Sequence, residues 1–261
     1  MADQLQHKHS TGCGETSPPV EFIAVCVVAF VASVAATIYF CRSMRCEMEM
    51  PGGWTMSMMW MRMPGQTWSA SAASFLLMWL AMMLAMMLPS ALPTFLKQYR
   101  APLALSVTAT GYFTVWLALG AGIYALGVAF AAAAMRWETF SRIVPALSGA
   151  ALVAAGAFQF TRWKMTGLLG CRSRFGCVSA CAETETNFRL GCKQGEACCL
   201  CCAAPTLVLV VLGMMNPLVI VGIAIVIAAE KLLPYPEIIA RLAGVAAITA
   251  GVITTLHNLN Q

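Results

Sequence analysis

Apolar positions run almost unbroken through seven stretches of the chain: Glu21 to Phe40, Trp68 to Leu96, Pro102 to Met135, Ile143 to Trp163, Ala197 to Met215, Leu218 to Leu233 and Glu237 to Leu256. Most come close to the ~20 residues a helix needs to cross ~30 Å of hydrocarbon. The third is longer, so it tilts or extends past the bilayer. Pro89 and Pro93 interrupt the second, and Asn216-Pro217 ends the fifth. The pattern predicts an all-α, polytopic transmembrane helical bundle of about seven spans. Six is the rival count, if the fifth and sixth fuse or one is re-entrant. Residues 21–261 then form a single membrane domain behind a polar tail, residues 1–20. That tail carries two acids and one lysine, reads as disordered, and lacks the pattern of a cleavable signal peptide.

Composition agrees. The chain is 60% hydrophobic and 10% charged, against roughly a quarter charged in soluble domains. A net charge of +5 without a basic stripe interleaved with aromatics excludes nucleic acid as an expected partner and leaves the lipid bilayer. The Lys and Arg residues act instead as topology signals. With seven spans, one side collects 11 of the 16, among them Lys97, Arg100, Arg172, Arg174 and Lys193, whereas Arg42, Arg45, Arg62, Arg136 and Arg142 fall on the other. The excess places the N-terminus in the cytoplasm, a methionine-rich segment at 44–63 outside and a cysteine-rich connection at 164–202 inside.

Sulfur is distributed in the same way. Residues 44–63 hold eight methionines: Met44, Met48, Met50, Met56, Met58, Met59, Met61 and Met63. They alternate with Glu47, Glu49, Arg45 and Arg62 around a Pro-Gly-Gly break, which is not the pattern of a core helix. In the second span Met78, Met82 and Met86 recur every four residues on one helix face, with Met83 and Met87 on an adjacent stripe. Stacked thioethers can pass a soft monovalent ion such as Cu(I), and they equally serve as adaptable packing. On the other side Cys198, Cys201 and Cys202 present three thiols on one helix face, with Cys199 turned away. Such a set suits Cu(I) first and Zn(II) second. Cys171, Cys177, Cys181 and Cys192 are available as further ligands. Thiols survive in a reducing cytosol, and thioethers form no disulfides in either compartment. If the topology were inverted, disulfides would explain the cysteines better.

Glu230 and Lys231 near the end of the sixth span and Gln159 near the end of the fourth are polar groups at membrane depth. The first two read either as functional groups or as an interfacial pair with Lys231 snorkelling. Asn216 reads chiefly as a helix stop. There is no phosphate loop and no nucleophile elbow, and His257 is the one histidine beyond His7 and His9 of the tail. Histidine-built hydrolytic, copper or heme sites are therefore poorly supplied, and the chain is not expected to be an enzyme on its own.

The segments WTMSMMWMRMPGQTW, FLLMWLAMMLAMMLPSALP, GYFTVW (111–116), AGAFQFTRWK (155–164), Cys171-Arg172, CCLCC (198–202), GMMN (213–216) and AAEK (228–231) together resemble the predicted metal-binding integral membrane proteins, domain of unknown function 2182. The resemblance covers about residues 44–233. It implies a bacterial inner-membrane protein that binds metal, with no established activity. It singles out Met82, Met83, Met86, Met87, Pro89, Ser90, Cys171, Cys198, Cys201, Cys202, Met215, Glu230 and Lys231. Family members often carry another cysteine near Cys171, where this chain has Gly167 and Gly170.

The expected function is to bind a soft metal, Cu(I), for transport or for delivery to a periplasmic carrier or to membrane oxidoreductase subunits. The 44–63 methionines would capture or release the ion, Met78 to Met87 would bridge the bilayer, and Cys198, Cys201 and Cys202 would hold it inside. The alternative is a subunit or assembly factor of a larger membrane-bound metal-dependent oxidoreductase.

Overall fold

The structure, a computed structural model, describes residues 20–43, 47–62, 65–98, 102–173 and 184–259. His7, His9, Met44, Cys46, Met63, Cys177 and Cys181 lie outside the described residues. Eight α-helices are described: α1 (Val20–Ser43), α2 (Trp68–Gln98), α3 (Pro102–Arg136), α4 (Glu138–Phe158), α5 (Arg162–Ser173), α6 (Thr184–Leu212), α7 (Pro217–Leu232) and α8 (Pro236–Leu259). Between α1 and α2 stand two short strands, β1 (Glu47–Met50) and β2 (Trp54–Ser57). The chain is an all-α polytopic bundle apart from this hairpin.

Six helical segments are long and apolar enough to cross a membrane: Val20–Ser43, Trp68–Pro93, Leu103–Arg136, Glu138–Phe158, Glu185–Leu212 and Pro236–His257. The expected sixth span, α7, has 16 residues. At 1.5 Å per residue that is about 24 Å, short of the hydrocarbon thickness, so the count by length is six.

The hairpin was not foreseen, although its signal was in the sequence. Methionine alternating with glutamate in Glu47–Met50 has the two-residue period of a strand, and Pro51-Gly52-Gly53 supplies the turn, with φ of 103° at Gly52 and 72° at Gly53. Met48 faces Met56 and Met50 faces Trp54, while Glu47 and Glu49 face Ser57 and Thr55. The apolar face packs on α3 and α4, burying Met50 and Met56 with Ala131 and Ala134. Pro145 inside α4 cannot donate to the carbonyl of Ser141 four residues back. The Trp54 indole donates to that carbonyl at 3.0 Å.

Close approach sets the helix directions. Gly191 lies against the Thr108 carbonyl and Gly195 against Tyr112 and Val115, so α3 and α6 run parallel. A side chain at Gly191 would collide with the α3 backbone. Gly149 meets Gly251 and Gly156 meets Gly244, making α4 and α8 antiparallel. The Trp79 indole on α2 donates to the Trp116 carbonyl on α3 at 2.8 Å, and Tyr124 donates to Ser71 at 3.1 Å, so α2 runs against α3.

Candidate metal centre

Where α2, α3, α6 and α7 meet, sulfur converges. Cys198 Sγ is 4.0 Å from Cys202 Sγ, one turn along α6, and 4.0 Å from Met87 Sδ on α2. Cys171 on α5 hydrogen-bonds to Cys198 and Cys201, and Cys201 in turn to Cys202. Cys198, Cys201, Cys202 and Met87 are all at most 2% exposed, whereas Cys199 is only half-buried. The face expected from the i, i+3, i+4 spacing is therefore the face the bundle encloses.

Two polar groups address Cys198. The Tyr112 hydroxyl of α3 donates to its sulfur at 2.9 Å, and the Lys231 ammonium of α7 at 3.0 Å. Lys231 also reaches Ser90 Oγ at 3.4 Å and Met87 Sδ at 3.6 Å. A sulfur that accepts from an ammonium and a phenol is placed as a thiolate would be. Cys171 lies on α5, outside the six long apolar segments. Its hydrogen bond with Cys198, with burial adding to it, pushes that thiol above the usual thiol range.

A buried ion pair backs the cluster. Lys164 Nζ contacts Glu230 Oε2 at 2.6 Å, with both side chains at most 1% exposed, and donates to the Cys201 carbonyl at 2.6 Å. That carbonyl is available because Pro205, four residues on, has no N–H to offer it. Gln159 Nε2 donates to Glu230 Oε1 at 3.2 Å. Glu230 and Lys231 are thus not an interfacial pair with each other: successive residues of α7 project apart, one toward Lys164 and the other toward Cys198.

The segment expected to be a cysteine-rich loop, 164–202, is helical wherever it is described. The α6 helix begins at Thr184, so the CCLCC run sits at mid-helix rather than at a helix entrance. Cys192 is turned toward the Gly111 carbonyl of α3, at 3.6 Å, and stays apart from the thiol cluster. Gly167, where relatives were expected to offer another cysteine nearby, lies against the Cys201 backbone.

Met78, Met82, Met83 and Met86 are buried along α2 beside Phe75, Trp79 and Trp116, forming one stripe that ends at Met87. Met56, with Met48, Met58, Met59 and Met61, stays at the hairpin. Nineteen residues of α3 separate Tyr112 from Ala131, about 28 Å along the helix. Those methionines are half-buried or buried, not an open thioether surface: strand alternation turns Met48, Met50 and Met56 toward α3 and α4, and Met58, Met59 and Met61 follow in and after the short turn 58–60. Met215 is half-buried at the α6–α7 turn, remote from the thiols. Asn216 beside it caps α7, its side chain accepting from the Leu218 amide at 3.0 Å. Sequence reasoning missed Lys164 and Tyr112, although Pro205 four residues after Cys201 signalled a carbonyl in need of a donor.

The donor set is soft and dry. Three sulfurs around one ion, each ~2.3 Å from it as in zinc–thiolate sites, stand about 4.0 Å apart, which is the spacing of Cys198 to Cys202 and to Met87. No ready cluster of three or more His, Cys, Asp or Glu side chains occurs among the described residues. The trio is completed instead by a thioether, a ligand type that favours copper over zinc.

The profile of a copper chaperone family, PpoB2, matches residues 76–254. No curated protein and no solved structure matches the chain. The matched region contains Cys171, Cys198, Cys201 and Cys202 with Met87, Tyr112, Lys164, Glu230 and Lys231, and leaves out α1 and the hairpin. Covering more than half of the 261 residues, that match makes the chain a member of the PpoB2 copper chaperone family.

Proposed function

We propose that the chain is a membrane-embedded chaperone that carries copper as Cu(I), with Cys198, Cys202 and Met87 as the holding ligands and Cys171 and Cys201 beside them. The observation that carries this reading is the convergence of thiols and a thioether from separate helices in a water-excluded pocket. Such a pocket favours a soft, weakly hydrated monovalent ion. Tyr112 and Lys231 orient and compensate the Cys198 sulfur, and the Lys164–Glu230 pair fixes the α6 backbone behind it. The half-buried hairpin methionines and the stripe from Met78 to Met86 are the proposed route between the pocket and the opposite face.

The membrane placement is part of the proposal. Exposed Trp68 and Trp137 stand at the hairpin end and exposed Trp163 and Tyr235 at the other. This is the arrangement of interfacial aromatic belts. Trp137 and Trp163 are separated by α4, whose 21 residues span about 31 Å, the thickness of a hydrocarbon core. The thiols then lie near the boundary opposite the hairpin, on the cytoplasmic side by the charge asymmetry, in a bacterial inner membrane. Delivery would be to a periplasmic carrier or to a membrane oxidoreductase acquiring its metal.

The test is copper bound per chain, measured on protein purified under reducing conditions. Wild type is expected to retain Cu(I), and the Cys198→Ser, Cys201→Ser, Cys202→Ser triple variant to lose it. Equal, near-zero copper in both would reject the reading.

A further inference from the structure

Lys231 occupies an unusual place for an ammonium. Its nitrogen lies 3.0 Å from Cys198 Sγ, 3.6 Å from Met87 Sδ and 3.4 Å from Ser90 Oγ. Two of these are the very sulfurs assigned above to the cargo ion, and the ammonium sits among them rather than behind them. It is a monovalent cation already seated in a pocket shaped for one.

We propose that the Lys231 ammonium and the cargo ion exchange for one another in this sulfur pocket, so that Lys231 seals the site when it is empty and expels the ion when delivery is due. The inference rests on the Cu(I) reading and adds to it a mechanism of release and a basis for selecting valence. Exchanging one single positive charge for another leaves the buried charge unchanged. A divalent ion entering by the same exchange would leave an extra positive charge in a pocket that excludes water, which is unfavourable. Lys231 also has somewhere to go. It is half-buried one residue before the end of α7, and Leu232, Leu233 and Tyr235 beside it are exposed. Its flexible four-carbon stem can carry the ammonium out toward the interface while the stem stays on apolar surface. Two positions of one side chain, each favoured by a different occupant of the pocket, make a two-state device.

A competitor and a mere counter-charge give opposite signs when removed. If the ammonium fills the pocket about 90% of the time, its removal tightens apparent Cu(I) affinity about tenfold. A counter-charge that stabilised the copper–thiolate complex would, on removal, weaken binding. The experiment measures Cu(I) affinity and dissociation rate on the full-length chain in detergent, using a chromophoric Cu(I) chelator as competitor, for wild type, Lys231→Leu, which removes the ammonium without adding a sulfur ligand, Lys231→Arg and the exposed-site control Lys193→Leu. The expected result is tighter binding and slower release in Lys231→Leu, with Lys231→Arg and Lys193→Leu no tighter than wild type. Unchanged or weaker binding in Lys231→Leu overturns the exchange while leaving the Cu(I) reading intact. Failure of wild type to bind Cu(I) at all removes both.

Should Lys231→Leu not fold, the wild type itself decides. A small amine-reactive reagent is applied with and without Cu(I), and modification at Lys231 is read by mass spectrometry relative to Lys193. Faster labelling with Cu(I) bound is expected, because the ammonium has left the pocket. Equal or slower labelling overturns the proposal.

Discussion

Replacing Lys164 with methionine tests how the backbone behind the thiols is held. In the wild type its ammonium satisfies two buried groups at once, the Glu230 carboxylate and the Cys201 carbonyl, each at 2.6 Å. Removing one partner of a buried ion pair is expected to destabilise by about 3–5 kcal/mol, and an orphaned buried carbonyl adds about 1–3 kcal/mol. The second contribution can be isolated, because Pro205 is the reason the carbonyl needs a donor. Pro205→Ala returns an N–H to it, so this change should help the Lys164→Met background more than the wild type. The helix-propensity gain of losing proline is common to both backgrounds and cancels in the double-mutant cycle. The assay is unfolding of purified protein in mixed micelles with increasing SDS, for the two single variants and the double. The expected coupling is about 1–3 kcal/mol. Additivity within about 0.5 kcal/mol would refute the argument that Lys164 substitutes for the amide that Pro205 lacks.

Three further outcomes follow from the same geometry. Cys171 is held protonated by its hydrogen bond to Cys198 and by burial, and it stands beside the ligands rather than among them. Cys171→Ser keeps a hydroxyl donor at that place and should leave Cu(I) affinity and its pH dependence unchanged in chelator competition. Gly191→Ala would press a methyl group into the Thr108 carbonyl of α3. It should cost about 1–3 kcal/mol and weaken copper retention by moving Tyr112 away from Cys198, as read by unfolding and metal analysis. Replacing Met50 and Met56 with leucine should change stability by less than about 1.5 kcal/mol per site and leave copper per chain unaltered, because both pack against Ala131 and Ala134, far from the thiols.

The membrane-length helices were readable because each carries a continuous apolar run, and the starts of α2 at Trp68 and α3 at Pro102 fell where the pattern changes; α5 (Arg162–Ser173) has no such run and was passed over as a connection. Where polar residues continue a helix, the boundary was lost: α6 is described from Thr184, well before its apolar run, and Glu185 and Arg189 pair along its exposed face, a small support that hydropathy does not register. The hairpin was obscured by counting methionines as ligands before reading their alternation as a strand. At the site, spacing along one helix disclosed Cys198, Cys201 and Cys202 as a face, and a periodic stripe disclosed Met87. Which stripe member meets the thiols depends on how α2 packs on α6, which no local pattern encodes. Lys164 and Tyr112 were passed over for the same reason: their partners lie 37 and 86 residues away in the chain. Pro145 and Pro205 are the instructive cases, since each marks a freed carbonyl from sequence alone while leaving its donor, Trp54 or Lys164, to the tertiary fold.

The measurement that bears most directly on the account is X-ray absorption spectroscopy at the copper edge on the Cu(I)-loaded chain, compared with its Cys198→Ser, Cys202→Ser and Met87→Leu variants. The account predicts a first shell of sulfur alone in the wild type, lost in the double serine variant and reduced by one sulfur when Met87 is replaced. A shell containing nitrogen or oxygen, or a sulfur shell that survives all three replacements, would contradict it.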